Sequence, residues 1–223
     1  QWEELPDGIR FSLYSPDGEG GFPGNIRVIT DYRFNEDNEL SVRHYAETDC
    51  ATYINMTNHA YFNLCGKGKK ITEHRLHIPA DRILDTTPAF IPTGKRMNVK
   101  NTPFDFTSLK PIGTDLYADH EQLLWNKGYN HCYILKDEIS VEMLEAASLY
   151  EPVTGRNMTV MTDLPAVLLY TAGYYERPDT AVCLETQFYP DTPSHSDFPS
   201  CLVLPEKAYE HCTLFHFQVQ KEE

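Results

Sequence analysis

The sequence of 223 residues lacks a long hydrophobic run, an excess of basic residues and any pair of cysteines spaced C-x-x-C. No stretch approaches the roughly 20 apolar residues of a membrane-spanning helix, so we expect no membrane partner. Acidic residues outnumber basic ones, 33 against 19, and the formal net charge is −14. Because nucleic-acid binding depends on a positive field, this charge argues against a nucleic-acid partner.

The six cysteines are scattered singly and lack the dense spacing of small secreted domains that are held by disulfides. We therefore interpret them as reduced thiols and expect a cytoplasmic protein. The sequence opens at Gln1 rather than at Met, without the basic and apolar regions of a signal peptide. We interpret this start as a cut.

Helical periodicity is also scarce. Apolar residues alternate with period two at residues 9–13, 26–28, 40–42 and 215–219, which is the pattern of half-buried strands. One short helix is predicted within residues 114–126, where an acidic start precedes spaced leucines. No repeat or linker divides the chain, so we predict one all-β domain over residues 1–223.

Two segments carry polar groups that could do chemistry. Residues 55–64 contain three asparagines, His59 and Tyr61, whose amide, imidazole and ring faces suit a sugar. The alternative is an ordinary turn in which Asn58 satisfies backbone groups, and composition alone favours it. The long, weakly patterned segment 86–109 is predicted to form the rim of a site, because such loops are commonly functional.

A strand predicted over residues 181–189 places Cys183, Glu185 and Gln187 on one face. If that face is concave and dry, burial raises the pKa of Glu185 towards the range of a useful base. On a wet face Glu185 is a surface residue, and general burial statistics favour that reading.

The remaining candidates for chemistry are weaker. Asn130 and His131 follow a turn at Gly128 and could contact a ligand or cap the turn. His44, His74 and His77 do not have the spacing of a zinc site, so no metal site is predicted. No G-x-S-x-G motif indicates a serine nucleophile.

Taken in order along the chain, these segments resemble the aldose 1-epimerases, or galactose mutarotases. The resemblance rests on N-H-A-Y-F-N-L at 58–64, P-T-G at 92–94, T-P-F-D-F at 102–106, G-Y-N-H at 128–131 and L-E-T-Q-F-Y-P-D at 184–191. It covers essentially the whole chain. It implies a large antiparallel β-sandwich, the galactose mutarotase-like supersandwich, with a sugar cleft across one sheet.

The resemblance also implies residue roles. His59 is expected to be the general acid that protonates the ring oxygen of a free hexose, and Glu185 the base that removes the anomeric hydroxyl proton. Ring opening, rotation about C1 and reclosure then interconvert the α and β anomers without a cofactor. We predict that Asn58, Tyr61 and Asn130 bind the sugar beside this pair.

The chain departs from the family pattern at several positions. Relatives carry a preceding N-terminal segment with a sugar-binding Arg and His, and we expect this chain to be truncated there. Asn130 replaces an Asp, and Leu164 and Leu168 replace amides. We therefore expect any epimerase activity to be weak. With the preceding strands absent, we expect exposed sheet edges either to recruit a second copy into a homo-oligomer or to leave a sheet shorter than in full-length relatives.

Two other functions stay open at this point. The first is a non-catalytic carbohydrate-binding protein on the same fold, which the departures favour. The second is a glycosidase, which needs two carboxyl groups separated by about 5–10 Å. Glu185 has no convincing partner for that role.

Overall fold

The computed structural model describes residues 1–66, 68–139 and 141–220. The strands in these ranges are β1 (Trp2–Leu5), β2 (Gly8–Ser15), β3 (Ile26–Phe34), β4 (Glu39–Thr48), β5 (Thr52–Tyr53), β6 (Arg75–His77), β7 (Arg82–Thr86), β8 (Pro92–Asn98), β9 (Lys110–Pro111), β10 (Asn130–Ile134), β11 (Leu144–Glu151), β12 (Arg156–Thr162), β13 (Ala166–Tyr170), β14 (Cys183–Gln187), β15 (Leu202–Val203) and β16 (Tyr209–Val219). One α-helix, α1, covers Glu121–Asn126. The four period-two runs of the sequence fall in β2, β3, β4 and β16, as predicted.

The strands pair antiparallel in three sheets within the described ranges. The largest has nine strands in the order β1-β2-β3-β4-β16-β12-β11-β6-β9, the second has five in the order β14-β13-β10-β7-β8, and β15 pairs with β5. The predicted all-β antiparallel sandwich is thus confirmed. No helix in this part of the chain is long and apolar enough to cross a membrane.

The main core lies between the two larger sheets. Val160 and Phe215 of the nine-stranded sheet join one hydrophobic cluster with Leu169 and Leu184 of the five-stranded sheet. Burying each such side chain contributes about 1.5–3 kcal/mol. Because side chains alternate along a strand, the neighbours of Leu169 and Leu184 must face away from this core.

The predicted helix is shorter than its sequence pattern. A side-chain nitrogen of His120 accepts a hydrogen bond from the backbone N–H of Gln122, which caps the start of α1, and Lys127 ends the helix in a left-handed conformation. Residues 112–114 form a separate 3-10 turn. Only the second half of the predicted segment, residues 114–126, is therefore α-helical.

The segment predicted as a loop, residues 86–109, contains a strand. β8 pairs with β7 at the edge of the five-stranded sheet. Pro92 is its first residue, a position where proline is tolerated because an edge strand leaves backbone groups unpaired. The loop prediction is therefore wrong for residues 92–98.

Candidate active site

The outward face of the five-stranded sheet forms the floor of a cleft of about 380 Å³. On this face, the register across β10, β13 and β14 aligns Asn130, Tyr170 and Cys183 in one row and Cys132, Leu168 and Glu185 in the next. The cleft is lined by His59, Tyr61, Phe90, Asn130, Leu168, Tyr170, Tyr174 and Glu185.

His59 is held over this floor by two clamps on the segment that carries it. At one end, the Asn55 amide donates to the carbonyl of Phe188 over 3.1 Å and accepts from its N–H over 2.9 Å. At the other end, the backbones of Phe62 and Val182 exchange hydrogen bonds of 2.8 and 2.9 Å. The two anchored stretches run side by side, so His59 comes to lie opposite Glu185, midway between the clamps.

The side chains of His59 and Glu185 contact each other in the cleft. His59 Nε2 lies 3.3 Å from Glu185 Oε1, and the two side chains are 49% and 8% exposed. Burial raises the pKa of the Glu185 carboxyl, and the neighbouring His59 only partly opposes this effect. Once ionised, a carboxylate with a raised pKa is a stronger base than one in water, while His59 stays open to a ligand.

Aromatic rings form the wall around this pair. The Tyr61 ring lies 4.9 Å from the His59 ring at an interplanar angle of 30°, and the Tyr170 ring lies 6.1 Å from it. Phe90 and Tyr174 meet at the rim with ring centroids 6.3 Å apart. Phe90 belongs to the segment that was expected to supply a rim. Such flat apolar faces suit the C–H face of a sugar ring.

The fold brings together four of the five site residues predicted from the sequence. His59, Tyr61, Asn130 and Glu185 all line the cleft. Asn58 does not line it, because its carboxamide oxygen accepts a hydrogen bond of 3.4 Å from the Tyr32 hydroxyl. Contact between Asn58 and a sugar stays a prediction.

The two leucines that the family resemblance places at amide positions occupy different environments. Leu168 faces the cleft beside Glu185. Leu164 is 1% exposed and packs in a second hydrophobic cluster with Ile54 and Phe188. Only the replacement at Leu168 alters the surface of the cleft.

Sequence reasoning missed four residues at the cleft. Tyr170 lies two positions from Leu168 on the same strand, so strand alternation could have identified it. Phe90 was not named, although its segment, residues 86–109, was predicted to form a rim, and Tyr174 comes from a connecting segment without a local signal. Cys183 was predicted on the face of Glu185, and the structure confirms this side, but its proximity to His59 was not foreseen.

Three potential metal ligands meet at this site. One ligand atom each from His59, Cys183 and Glu185 lies within 4.8 Å of the others. Burial, with a smaller contribution from the charge of Glu185, raises the pKa of the Cys183 thiol. The histidines considered from sequence have other partners: His44 contacts Thr30, His74 accepts from the N–H of Leu64, and His77 contacts Glu145.

Known proteins of one family are similar to this chain in sequence and fold. The sequence profile of the family described as aldose 1-epimerase matches residues 1–216. The chain belongs to the aldose 1-epimerase family. It is 35% identical to a galactose mutarotase of Bos taurus over 96% of this chain, and 32% identical to an aldose 1-epimerase of Escherichia coli K12 over 94% of this chain.

Solved structures of this family show the same fold. An aldose epimerase homologue from C. elegans superimposes with a TM-score of 0.86 at 24% identity, covering 99% of this chain and 69% of that one. A galactose 1-epimerase from Lactobacillus acidophilus gives 0.85 at 26% identity, covering 99% and 66%. The chain spans 64% of the bovine mutarotase and 63% of the E. coli epimerase.

Proposed function

We propose that this chain interconverts the α and β anomers of a free hexose by acid–base ring opening. The observation that carries the proposal is the 3.3 Å contact between His59 Nε2 and Glu185 Oε1 in an open cleft. Membership of the aldose 1-epimerase family and relatives named galactose mutarotase support it.

The reaction needs two proton transfers, one at each of the two oxygen atoms bonded to C1. Glu185, as the carboxylate, accepts the proton of the anomeric hydroxyl, while His59, as the imidazolium, donates a proton to the ring oxygen. The bond between C1 and the ring oxygen breaks, and an aldehyde forms at C1. Since both oxygens are attached to C1, an acid and a base whose reacting atoms lie 3.3 Å apart can reach both.

Reclosure restores both groups. After rotation about the C1–C2 bond, the hydroxyl formed from the ring oxygen attacks the other face of the aldehyde and returns its proton to His59. The carbonyl oxygen takes back the proton held by Glu185. Protons and electrons balance over the cycle, and the residues supply the whole reaction. Each positioned proton transfer contributes about 10²–10⁴-fold in rate.

The surroundings of the pair have two roles in this proposal. The rings of Tyr61 and Tyr170 support one face of the sugar, and the Asn130 amide can donate to and accept from its hydroxyls. The side chain of Leu168 offers no hydrogen bond beside Glu185, and Asn130 is uncharged. We therefore infer that the sugar is held loosely and that turnover is weak.

A second candidate function is carbohydrate binding without turnover. The apolar side chain of Leu168, placed directly across from Glu185 in the register of β13 and β14, favours it. In that case a hexose occupies the aromatic cleft but is not positioned for proton transfer. Turnover is then lost because holding reactants in place can lower a reaction barrier by about 7–11 kcal/mol.

Polarimetry separates the two candidates. The optical rotation of fresh α-galactose or α-glucose is followed with the protein, with the Glu185→Gln variant and with no protein. The epimerase proposal expects faster relaxation only with the unmodified chain. If the chain leaves the relaxation unchanged while calorimetry detects hexose binding, the binding function replaces it. If neither is detected with any hexose, both are wrong.

Two further proposals concern the setting of the protein. The six cysteines form no disulfide, which supports a reducing compartment such as the cytoplasm. β1 is an edge of the nine-stranded sheet, and exposed edges pair with other chains, which supports a homo-oligomer. Sedimentation velocity tests the second proposal, and a monomer at all concentrations contradicts it.

A further inference from the structure

The cleft places three different metal-ligand atoms beside one another. An imidazole nitrogen of His59, the thiol of Cys183 and a carboxylate oxygen of Glu185 lie within 4.8 Å of each other. Cys183 and Glu185 are two residues apart on β14 and therefore share the outward face. We propose that these three side chains bind one Zn²⁺ ion, with water as the fourth ligand.

The distances suit a tetrahedral zinc ion. Zinc binds imidazole nitrogen at about 2.0–2.1 Å and carboxylate oxygen at about 2.0–2.2 Å, so a tetrahedral arrangement separates these atoms by about 3.4 Å. His59 Nε2 and Glu185 Oε1 are 3.3 Å apart. The thiol needs a separation of about 3.6 Å from each, because the Zn–S bond is about 2.3 Å. A side-chain shift of about 1 Å suffices even from the 4.8 Å limit.

The donor set selects the class of metal. Thiolate and imidazole favour zinc and similar borderline-soft ions, whereas Mg²⁺ and Ca²⁺ require mainly oxygen ligands. Three protein ligands with one open position are typical of accessible zinc sites rather than closed structural ones. The half-exposed side chain of His59 leaves that position open to water from the cleft.

Binding forms a zinc–sulfur bond and breaks the S–H bond of Cys183, whose proton passes to solvent. No oxidation or reduction takes place. A bound zinc ion occupies His59 Nε2 and the Glu185 carboxylate, the two groups that a sugar would need. Zinc and hexose therefore exclude each other from the cleft. The metal site itself does not depend on whether the chain is an epimerase.

The test is a titration of the chain with Cd²⁺, a larger zinc analogue whose bond to thiolate gives an ultraviolet charge-transfer band. We expect a band that saturates at one Cd²⁺ per chain and is displaced by Zn²⁺. The Cys183→Ser variant should lose the band. The Cys50→Ser variant, which removes an exposed thiol elsewhere, should retain it.

A second variant covers the case in which Cys183→Ser does not fold. His59→Ala alters a half-exposed side chain and should keep the fold, as checked by circular dichroism. Calorimetry should give Zn²⁺ affinity at least about tenfold weaker than in the unmodified chain, since loss of a group that only hydrogen-bonds to a metal ligand already changes affinity about 10–100-fold. Undiminished Zn²⁺ affinity in His59→Ala, a band retained in a folded Cys183→Ser, or no band in the unmodified chain would each overturn the proposal.

Discussion

Two of the histidine–carboxylate pairs in the described part of this protein have surroundings that give them different capacities. His59 and Glu185 are 3.3 Å apart in the cleft, and His211 and Asp163 are 3.0 Å apart at the side of the second hydrophobic cluster. The two distances are close to each other. Distance alone therefore does not distinguish a reactive pair from a structural one.

The pair of His211 and Asp163, here called the inner pair, has its hydrogen-bonding groups satisfied within the fold. One oxygen of Asp163 contacts His211 Nδ1 and the other accepts from the backbone N–H of Cys212, both at 3.0 Å. The His211 ring packs against Phe188 and Tyr209 at 5.2 and 4.7 Å between centroids. Both partners are only 13% and 11% exposed, so this pair has little room for a ligand.

The cleft pair, His59 and Glu185, has fewer hydrogen-bond partners, and its histidine is accessible. Among the described residues, no backbone N–H donates to the Glu185 carboxylate, and His59 remains 49% exposed. A buried carboxylate with few partners is costly for stability but effective as a base. Under the proposed function, fewer hydrogen bonds and an open cleft distinguish the catalytic pair from the structural one.

The largest effects are expected from substituting the two carboxylates, Glu185 and Asp163. Glu185→Gln should reduce mutarotation by about 10²–10⁴-fold, since it removes the base, and should not lower the melting temperature. The raised pKa of Glu185 means that its neutral form is favoured on folding. Stability is therefore lost as pH rises through that pKa, and glutamine avoids the loss.

The matched change in the inner pair is Asp163→Asn. It leaves one of two buried hydrogen bonds unmade and should lower stability by about 1–3 kcal/mol, while turnover per folded molecule stays unchanged. Polarimetry and thermal denaturation of both variants check the contrast. The comparison fails if Asp163→Asn loses activity as severely as Glu185→Gln while remaining folded.

Substitution of His59 should reduce turnover and substitution of His211 should reduce stability, and the loss of turnover should be smaller than in Glu185→Gln. His59→Gln removes the proton donor to the ring oxygen, and we expect a loss nearer to about 10²-fold, because water in the open cleft can supply part of that role. His211→Gln should change the melting temperature instead. Equal turnover in His59→Gln and the unmodified chain would remove His59 from the mechanism.

Loosening the clamp on His59 should have a moderate effect. Asn55→Ala removes both hydrogen bonds to Phe188, and a loss of about 1.4 kcal/mol in positioning corresponds to about tenfold in rate. We expect the decrease in kcat rather than in KM. Asn35→Ala is the control, because Asn35 also bonds backbone groups, of Asp37 and Glu39, in a distant turn. An equal decrease in both variants would show that the clamp has no special role.

The two leucines extend the comparison between cleft and interior. Leu168→Gln adds an amide to the floor of the cleft, and one new hydrogen bond of about 0.5–1.5 kcal/mol should raise kcat/KM several-fold. Leu164→Gln buries an amide in an apolar cluster and should destabilise by about 1–3 kcal/mol. Steady-state kinetics and urea denaturation measure the two effects. Decreased kcat/KM in a folded Leu168→Gln would contradict the account of weak binding.

The smallest effect is a shift in pH dependence. Because Glu185 acts as a base only when ionised and its pKa is raised by burial, activity should begin to fall at a pH above the ordinary glutamate value of about 4.3. Circular dichroism at each pH must show that the fold is intact. An acid limb at or below that ordinary value would mean that a different group limits the rate.

Much of the fold could be predicted because strand alternation is a local property. The apolar runs of β2, β3, β4 and β16 lie where the period-two pattern puts them. The length of the helix and the presence of strand β8 were harder to predict from the sequence. α1 is only six residues long, and β8 gains its hydrogen bonds from β7, which no local pattern records.

The cleft shows that the sequence pattern does not predict the direction of every individual side chain. Leu164 and Leu168 have the same parity in the sequence, and a continuous strand would place them on one face. β13 begins only at Ala166, and the preceding bend turns Leu164 into the interior. Asn58 and His59 are adjacent, yet one contacts Tyr32 and the other the cleft.

The sequence by itself determined that the chain is an antiparallel sandwich, that Glu185 lies on the outward face of its strand, and which residues resemble those of the epimerases. Only the tertiary structure decided that His59 meets Glu185, that the thiol of Cys183 lies within 4.8 Å of both, and that His211 and Asp163 form a closed pair. The physical reason is that alternation depends on neighbouring residues, whereas a site depends on strand register and on clamps such as Asn55 with Phe188, which join distant segments.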